Sequence, residues 1–281
     1  MEFAGQGTRP FLGRLLAIPL IPCICFLLFA MAAYWSWKLP GADASLCAVL
    51  FSAIVASVAG FAFSPLAGAI LFHFNTDAVL VVQILLVASM AQQIYCIWQL
   101  RTHIRVIEFL PYTAGSLATL PLGIFLLLKF QASYFLPVLG LFLAGYGAFV
   151  AIKPAIHLTK SNPLAGRIAA GALGGITGGL VAFPGAFVAI WCQIQGFDKE
   201  RQRSIVQPFI LINQVAAIAI LSFVRPAASA SFETIQYAAP AILGAYFGLR
   251  IFRNLNTSEF NRVVGGALAL AGTLMVLKAL S

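Results

Sequence analysis

Apolar runs about as long as a lipid bilayer is thick follow one another almost without interruption along this chain. They fall at 15–37, 45–72, 78–98, 109–130, 134–152, 165–191, 204–224, 235–252 and 260–280. A spanning helix needs about 20 apolar residues to cross a hydrocarbon core of roughly 30 Å. Runs of this length read as helices and not strands, and a helix satisfies its own backbone hydrogen bonds in lipid. The expected fold is therefore all-α and polytopic, with no stretch left over for a water-soluble domain. Charged residues make up only 9% of the sequence, too few to coat a soluble surface.

The formal net charge is +9. In a soluble protein that excess would point to nucleic acid, but here the basic residues stand singly or in small groups between apolar runs. The pattern is a topology signal, with membrane lipid as the acidic partner and no nucleic-acid role. Cys23, Cys25, Cys47, Cys96 and Cys192 lie inside or at the edge of apolar runs without a CxxC spacing, so they read as packing residues. His73, His103 and His157 are far apart and match no ligand spacing, so no metal site is expected. HExxH, GxSxG and GxxxxGK[ST] signatures are absent from the sequence. No nucleophile and base, or paired carboxylates, assemble from the central residues, so an enzyme is the weaker reading and no cofactor is expected.

Residues 1–40 are read as an N-terminal anchor helix. Arg9 and Arg14 precede its apolar run, and Tyr34, Trp35 and Trp37 close it as an aromatic belt would. Ala30-Met31-Ala32 has the small-residue look of a signal-peptidase site, so cleavage is the competing reading.

The remaining eight runs divide into two sets of four. At an offset of 125, Tyr112, Gly123, Ser133, Phe135, Val138, Gly140, Leu143, Ala144, Gly147 and Lys153 meet Tyr237, Gly248, Ser258, Phe260, Val263, Gly265, Leu268, Ala269, Gly272 and Lys278. Val82-Gln83 meets Val206-Gln207 at 124, and Gly60 and Pro65 meet Gly179 and Pro184 at 119. An internal repeat follows, with a first unit at 41–156 and a second at 157–281.

The basic residues select a topology for it. If all nine runs crossed the membrane, the 17 Lys and Arg residues would split 9 against 8. If 45–72 and 165–191 are instead re-entrant hairpins, about seven true spans remain. Arg9, Arg14, Arg101, Arg105, Lys153, Lys160, Arg167, Lys199, Arg201, Arg203, Arg250, Arg253 and Arg262 then lie inside. Only Lys38, Lys129, Arg225 and Lys278 lie outside, the bias expected of cytoplasmic loops. A hairpin plus three spans turns the second unit upside down relative to the first, which is a secondary-transporter architecture.

The hairpins carry suitable breaks. Gly60 can end one half-helix and Ser64-Pro65 begin another, with the Ser hydroxyl as cap; Gly178-Gly179 and Pro184-Gly185 bracket the second break. Irregular backbone at membrane depth is tolerated only where it is buried in protein or lines a cavity. Half-helices starting at Pro65 and Pro184 would both aim positive ends at the middle, which favours an anion. The competing reading is that these residues merely kink packed helices.

On these residues the chain resembles the TauE/SafE sulfite exporter family over about 45–280. The best local piece runs Gly174-Gly175-Ile176-Thr177-Gly178-Gly179-Leu180-Val181-Ala182-Phe183-Pro184-Gly185, followed by Arg201 and Arg203. Gly60-Phe61-Ala62-Phe63-Ser64-Pro65-Leu66 looks like its degenerate first-half counterpart. The resemblance implies a permease for sulfur-containing anions, exporting a small anionic solute, in the cell membrane, and a homodimer. Where the family carries a denser glycine run, Phe63-Ser64 and Ala182-Phe183 stand here, so Phe63 and Phe183 are expected to narrow or reshape the pocket to suit an organic sulfonate or another carboxylated solute.

The candidate substrate-binding residues are Gly60, Phe63, Ser64, Pro65, Gln83, Gly179, Phe183, Pro184, Gly185, Gln207, Asn213 and Gln214. Amides in a bilayer need partners, and an oxyanion or a neighbouring helix would serve equally. The alternative function is a non-transporting membrane scaffold or accessory subunit of a partner complex.

Overall fold

A computed structural model describes residues 42–74, 78–129, 136–152, 163–224 and 232–280, and the expected anchor at 1–40 lies outside them. Among the described residues every regular element is a helix. The first half holds α1 (Ala42–Ala59), α2 (Phe63–Phe74), α3 (Ala78–Leu100), α4 (Val106–Lys129) and α5 (Leu136–Ile152). The second holds α6 (Leu164–Val181), α7 (Gly185–Ile194), α8 (Lys199–Val224), the single turn α9 (Phe232–Ile235), α10 (Ala238–Asn254) and α11 (Thr257–Leu280).

By length and composition α4 and α8 are long and apolar enough to cross a membrane. Large apolar side chains such as Ile107, Leu141, Ile152 and Phe223 are exposed, while Ser52, Gln92, Gln193 and Gln207 are buried. That inside-out distribution is unstable against water and suits a hydrocarbon surround.

Both expected breaks are present, each built by residues with positive φ. At the first, Gly60 has φ 88° and Ala62 φ 72°; the Gly60 N–H still bonds Ala56 O at 2.7 Å, and the Leu66 N–H opens α2 on Ala62 O at 3.4 Å. At the second, Ala182 takes φ 53°. Its N–H donates to Gly178 O at 3.1 Å and the Phe183 N–H to Thr177 O at 3.3 Å, closing α6 in the manner of a Schellman cap. A left-handed alanine is disfavoured by about 1–2 kcal/mol, so the surrounding packing holds these bends in place.

The half-helices begin within two residues of the sequence markers, α2 earlier and α7 at Gly185, with Pro184 as its cap. Helix α2 starts at Phe63, which puts Ser64 and Pro65 inside its first turn and leaves the cap position to Ala62. A proline there is harmless because that turn's N–H groups have no intrahelical acceptor. The backbone also shifts the register between hairpins. Helices α1 and α6 superpose end for end at an offset of 122, not 119, as do the starts of α2 and α7. Phe61 therefore corresponds to Phe183, and Pro65 has no proline counterpart. The glycine-proline match missed this spacing because a left-handed alanine stands at each bend, alone at the second and with Gly60 at the first.

Packing between the halves is reciprocal. Helix α4 lies along α6, and α10 lies along α1. A methyl group on Gly123 would strike Ile176 O and approach Gly179 Cα to 3.1 Å. One on Gly248, 125 residues later, would stand 2.5 Å from Ile54 O and 2.7 Å from Ser57 Cβ, the positions 122 before Ile176 and Gly179. Gly147 faces Ala269 and Gly265 on α11, and Gly272 faces Ala144 and Gly140 on α5. Residue 140 thus meets 272 while 147 meets 265, so α5 and α11 run antiparallel.

A cavity between two helix breaks

The breaks meet directly. The Phe61 and Phe183 rings lie 6.0 Å apart, and a side chain on Gly185 would come within 3.2 Å of Phe61 Cβ and 2.7 Å of Ile210 Cδ1. Beside this contact is a cavity of about 70 Å³ lined by Ser64, Leu85, Leu86, Gly178, Ala182, Pro184, Asn213, Gln214 and Ala217. One water needs roughly 10–15 Å³ on this measure, so several waters or one small polyatomic ion fit. Ser64 is in the first turn of α2 and Pro184 is the N-cap of α7, so two helix N-termini open onto one space.

Of the sequence-derived candidates, the cavity gathers Ser64, Pro184, Asn213 and Gln214. Asn213 is largely committed to structure: Ser116 Oγ donates to its Oδ1, and its Nδ2 donates to Phe209 O at 2.8 Å. Gln214 Nε2 donates to Ser89 Oγ at 2.6 Å, while its Oε1 is buried without a partner. Turning that amide half a turn lets Ser89 donate to Oε1 and frees the Nε2–H groups, the arrangement an anion needs.

The other candidates lie around the cavity or away from it. Gly185 packs on Ile210 and Phe61, and Phe183 belongs to the main core cluster. Gly179 serves helix contact, its α-carbon against Gly123 and Leu120 of α4. Phe63 is buried in a second cluster with Leu46, Ile84 and Tyr237, so the aromatic that meets Phe183 is Phe61. Pro65 and Gln83 are half-buried and do not line the cavity. Gly60 lies against Arg203, and Gln207 is buried with neither amide atom partnered.

Sequence reasoning placed Arg203 in an inner loop, but it sits inside α8 with 1% of its surface exposed. Arg203, Gln207, Ile210 and Gln214 fall at i, i+4, i+7 and i+11, which is one face of a helix. That face runs about 16 Å along α8 to the cavity level. Its apolar member, Ile210, packs against Gly185.

The charges at the start of α8, and Arg167 on α6, are tied to other helices. Arg201 Nε bonds Glu108 Oε2 at 3.0 Å, Arg167 donates to Glu108 O at 2.6 Å, and Lys199 Nζ donates to Phe252 O and Leu255 O at 3.1 and 2.5 Å. Lysine at the end of α10 also complements that helix's dipole.

The profile of the family described as Sulfite exporter TauE/SafE matches residues 45–275. No curated protein and no solved structure matches the chain.

Proposed function

The chain belongs to the sulfite exporter TauE/SafE family, and from that premise we propose that it is a plasma-membrane permease exporting sulfite or a small organosulfonate. The family is one of membrane transporters and not enzymes. The observation that carries the finer reading is the shared cavity onto which α2 and α7 both open their N-terminal ends. Each such end favours an anion by about 0.3–1 kcal/mol, rising to about 2 in partly buried geometry, and its backbone N–H groups supply directional bonds.

In this reading α1–α2 and α6–α7 are re-entrant hairpins entering from opposite faces, and the two units at 41–156 and 157–281 are inverted copies. The antiparallel run of the equivalent helices α5 and α11 supports the inversion, because a two-fold axis in the membrane plane reverses whatever it relates. The reciprocal contacts of Gly123 and Gly248 support the same operation. Export then needs no proton relay: an inside-negative potential contributes about 2.3 kcal/mol per charge per 100 mV in the outward direction.

Flux of radiolabelled sulfite and of sulfoacetate in vesicles reconstituted with the protein tests the proposal. Flux well above protein-free vesicles is expected. Ser64→Ala, Pro184→Ala and Gln207→Ala should each lower it several-fold while membrane insertion stays intact. Correctly inserted protein that moves none of these anions would remove the permease reading.

A further inference from the structure

We propose that Arg203 is the fixed counter-charge of a buried anion site at the first helix break, selective for small oxyanions and separate from the cavity wall. Its Nε, Nη1 and Nη2 are all buried without a hydrogen-bond acceptor among the described residues, and neither ion pair found among them includes it. The guanidinium carbon stands 4.2 Å from the centroid of the Phe252 ring, so one face is stacked. Gly60 packs against the side chain's stem. A methyl there would sit 3.4 Å from Arg203 Cγ and 3.6 Å from Nε, and φ 88° keeps that position glycine. One turn along α8, Gln207 is buried with Nε2 and Oε1 both unpartnered.

Burying an ion without a counter-ion is strongly disfavoured, and removing one member of a buried pair leaves the other destabilised. The buried Cys96 thiol lies within interaction range of Arg203 and Gln207, but a neutral thiol is a weak acceptor and brings no charge to offset the cation, so the partner that completes the site is a solute. The planar fork matches two oxygens of a sulfite, sulfonate or carboxylate group at once, whereas a halide offers a single point of contact. Gln207 Nε2 adds a donor to the same space. The site rests on the anion-permease reading and gives it a selectivity element. The solute's charge is met first at Arg203 and then, beyond the Phe61–Phe183 contact, at the cavity.

The test is thermal melting of the purified full-length protein in detergent, at constant ionic strength, with sodium sulfite, sulfoacetate or chloride. The wild type should melt higher with either oxyanion than with chloride, by mass action on the folded state. Arg203→Met should melt higher than wild type in anion-free buffer, since the unpaired charge is gone, and lose the oxyanion shift. Arg203→Lys keeps the charge without the fork, so oxyanion affinity should fall roughly 10- to 100-fold and the preference over chloride should narrow. An Arg203→Met protein that melts lower than wild type without anion, or that keeps the oxyanion shift, overturns the proposal. Vesicle flux separates the two readings: undiminished flux in Arg203→Met removes the Arg203 site alone, and a wild type with neither shift nor flux removes both.

Discussion

The hydroxyl of Thr177 closes the second helix break from within. It lies 3.0 Å from Leu173 O and 3.1 Å from Phe183 O, so the residue that leaves the helix is bonded back to its last turns. Thr177→Val keeps the shape and deletes that bond, at a cost of about 1 kcal/mol. The melting midpoint should drop by about 2–4 °C, and an unchanged midpoint would show that the break is held by packing alone. Residues of this kind were partly legible in the sequence. Ser64, Pro184, Asn213 and Gln214 were visible because polar or helix-breaking residues inside apolar runs are few. Arg203 was not, since it stands next to Lys199 and Arg201 at the edge of a run and reads like another loop charge. Its one sequence signal was the four-residue spacing to Gln207, which only a helix turns into proximity.

Helix-to-helix contact rests on glycines that let backbones approach, as expected in lipid where packing and not water exclusion drives association. Helix α5 supplies its own control. Gly147 faces Ala269 and Gly265 of α11 at backbone contact, whereas Gly145 has nothing within 4 Å. Gly147→Leu should therefore cost about 1–3 kcal/mol or more by overpacking and lower the yield of monodisperse protein in size-exclusion chromatography. Gly145→Leu on the same helix should leave that yield unchanged. Equal losses in both would mean that α5 does not pack on α11 in this register. At this scale the sequence conveyed the order of the helices, because apolar runs and the polar stretches between them mark each one. The helix bounds at the two breaks are spaced by 122 residues, where the glycine and proline landmarks are spaced by 119. Glycine and proline report where a bend is easy, but φ is positive at Ala62 and Ala182, and alanine carries no such mark.

The whole molecule is two interleaved halves. The first arm of each hairpin lies along a helix of the other half, so neither half completes its packing alone. This arrangement brings Ser64 and Ala182, far apart in sequence, onto one cavity wall. Bilayer residence was legible from the length and density of apolar runs. The meeting of the breaks was not, because a sequence shows that a helix is interrupted without showing what the interruption faces. Cross-linking of Ser64→Cys to Ala182→Cys by a short bis-maleimide, in an otherwise cysteine-free protein in native membranes, tests that meeting directly. The account predicts rapid intramolecular cross-linking that abolishes sulfite flux. Folded, inserted protein that fails to cross-link, or that transports undiminished once linked, would contradict it.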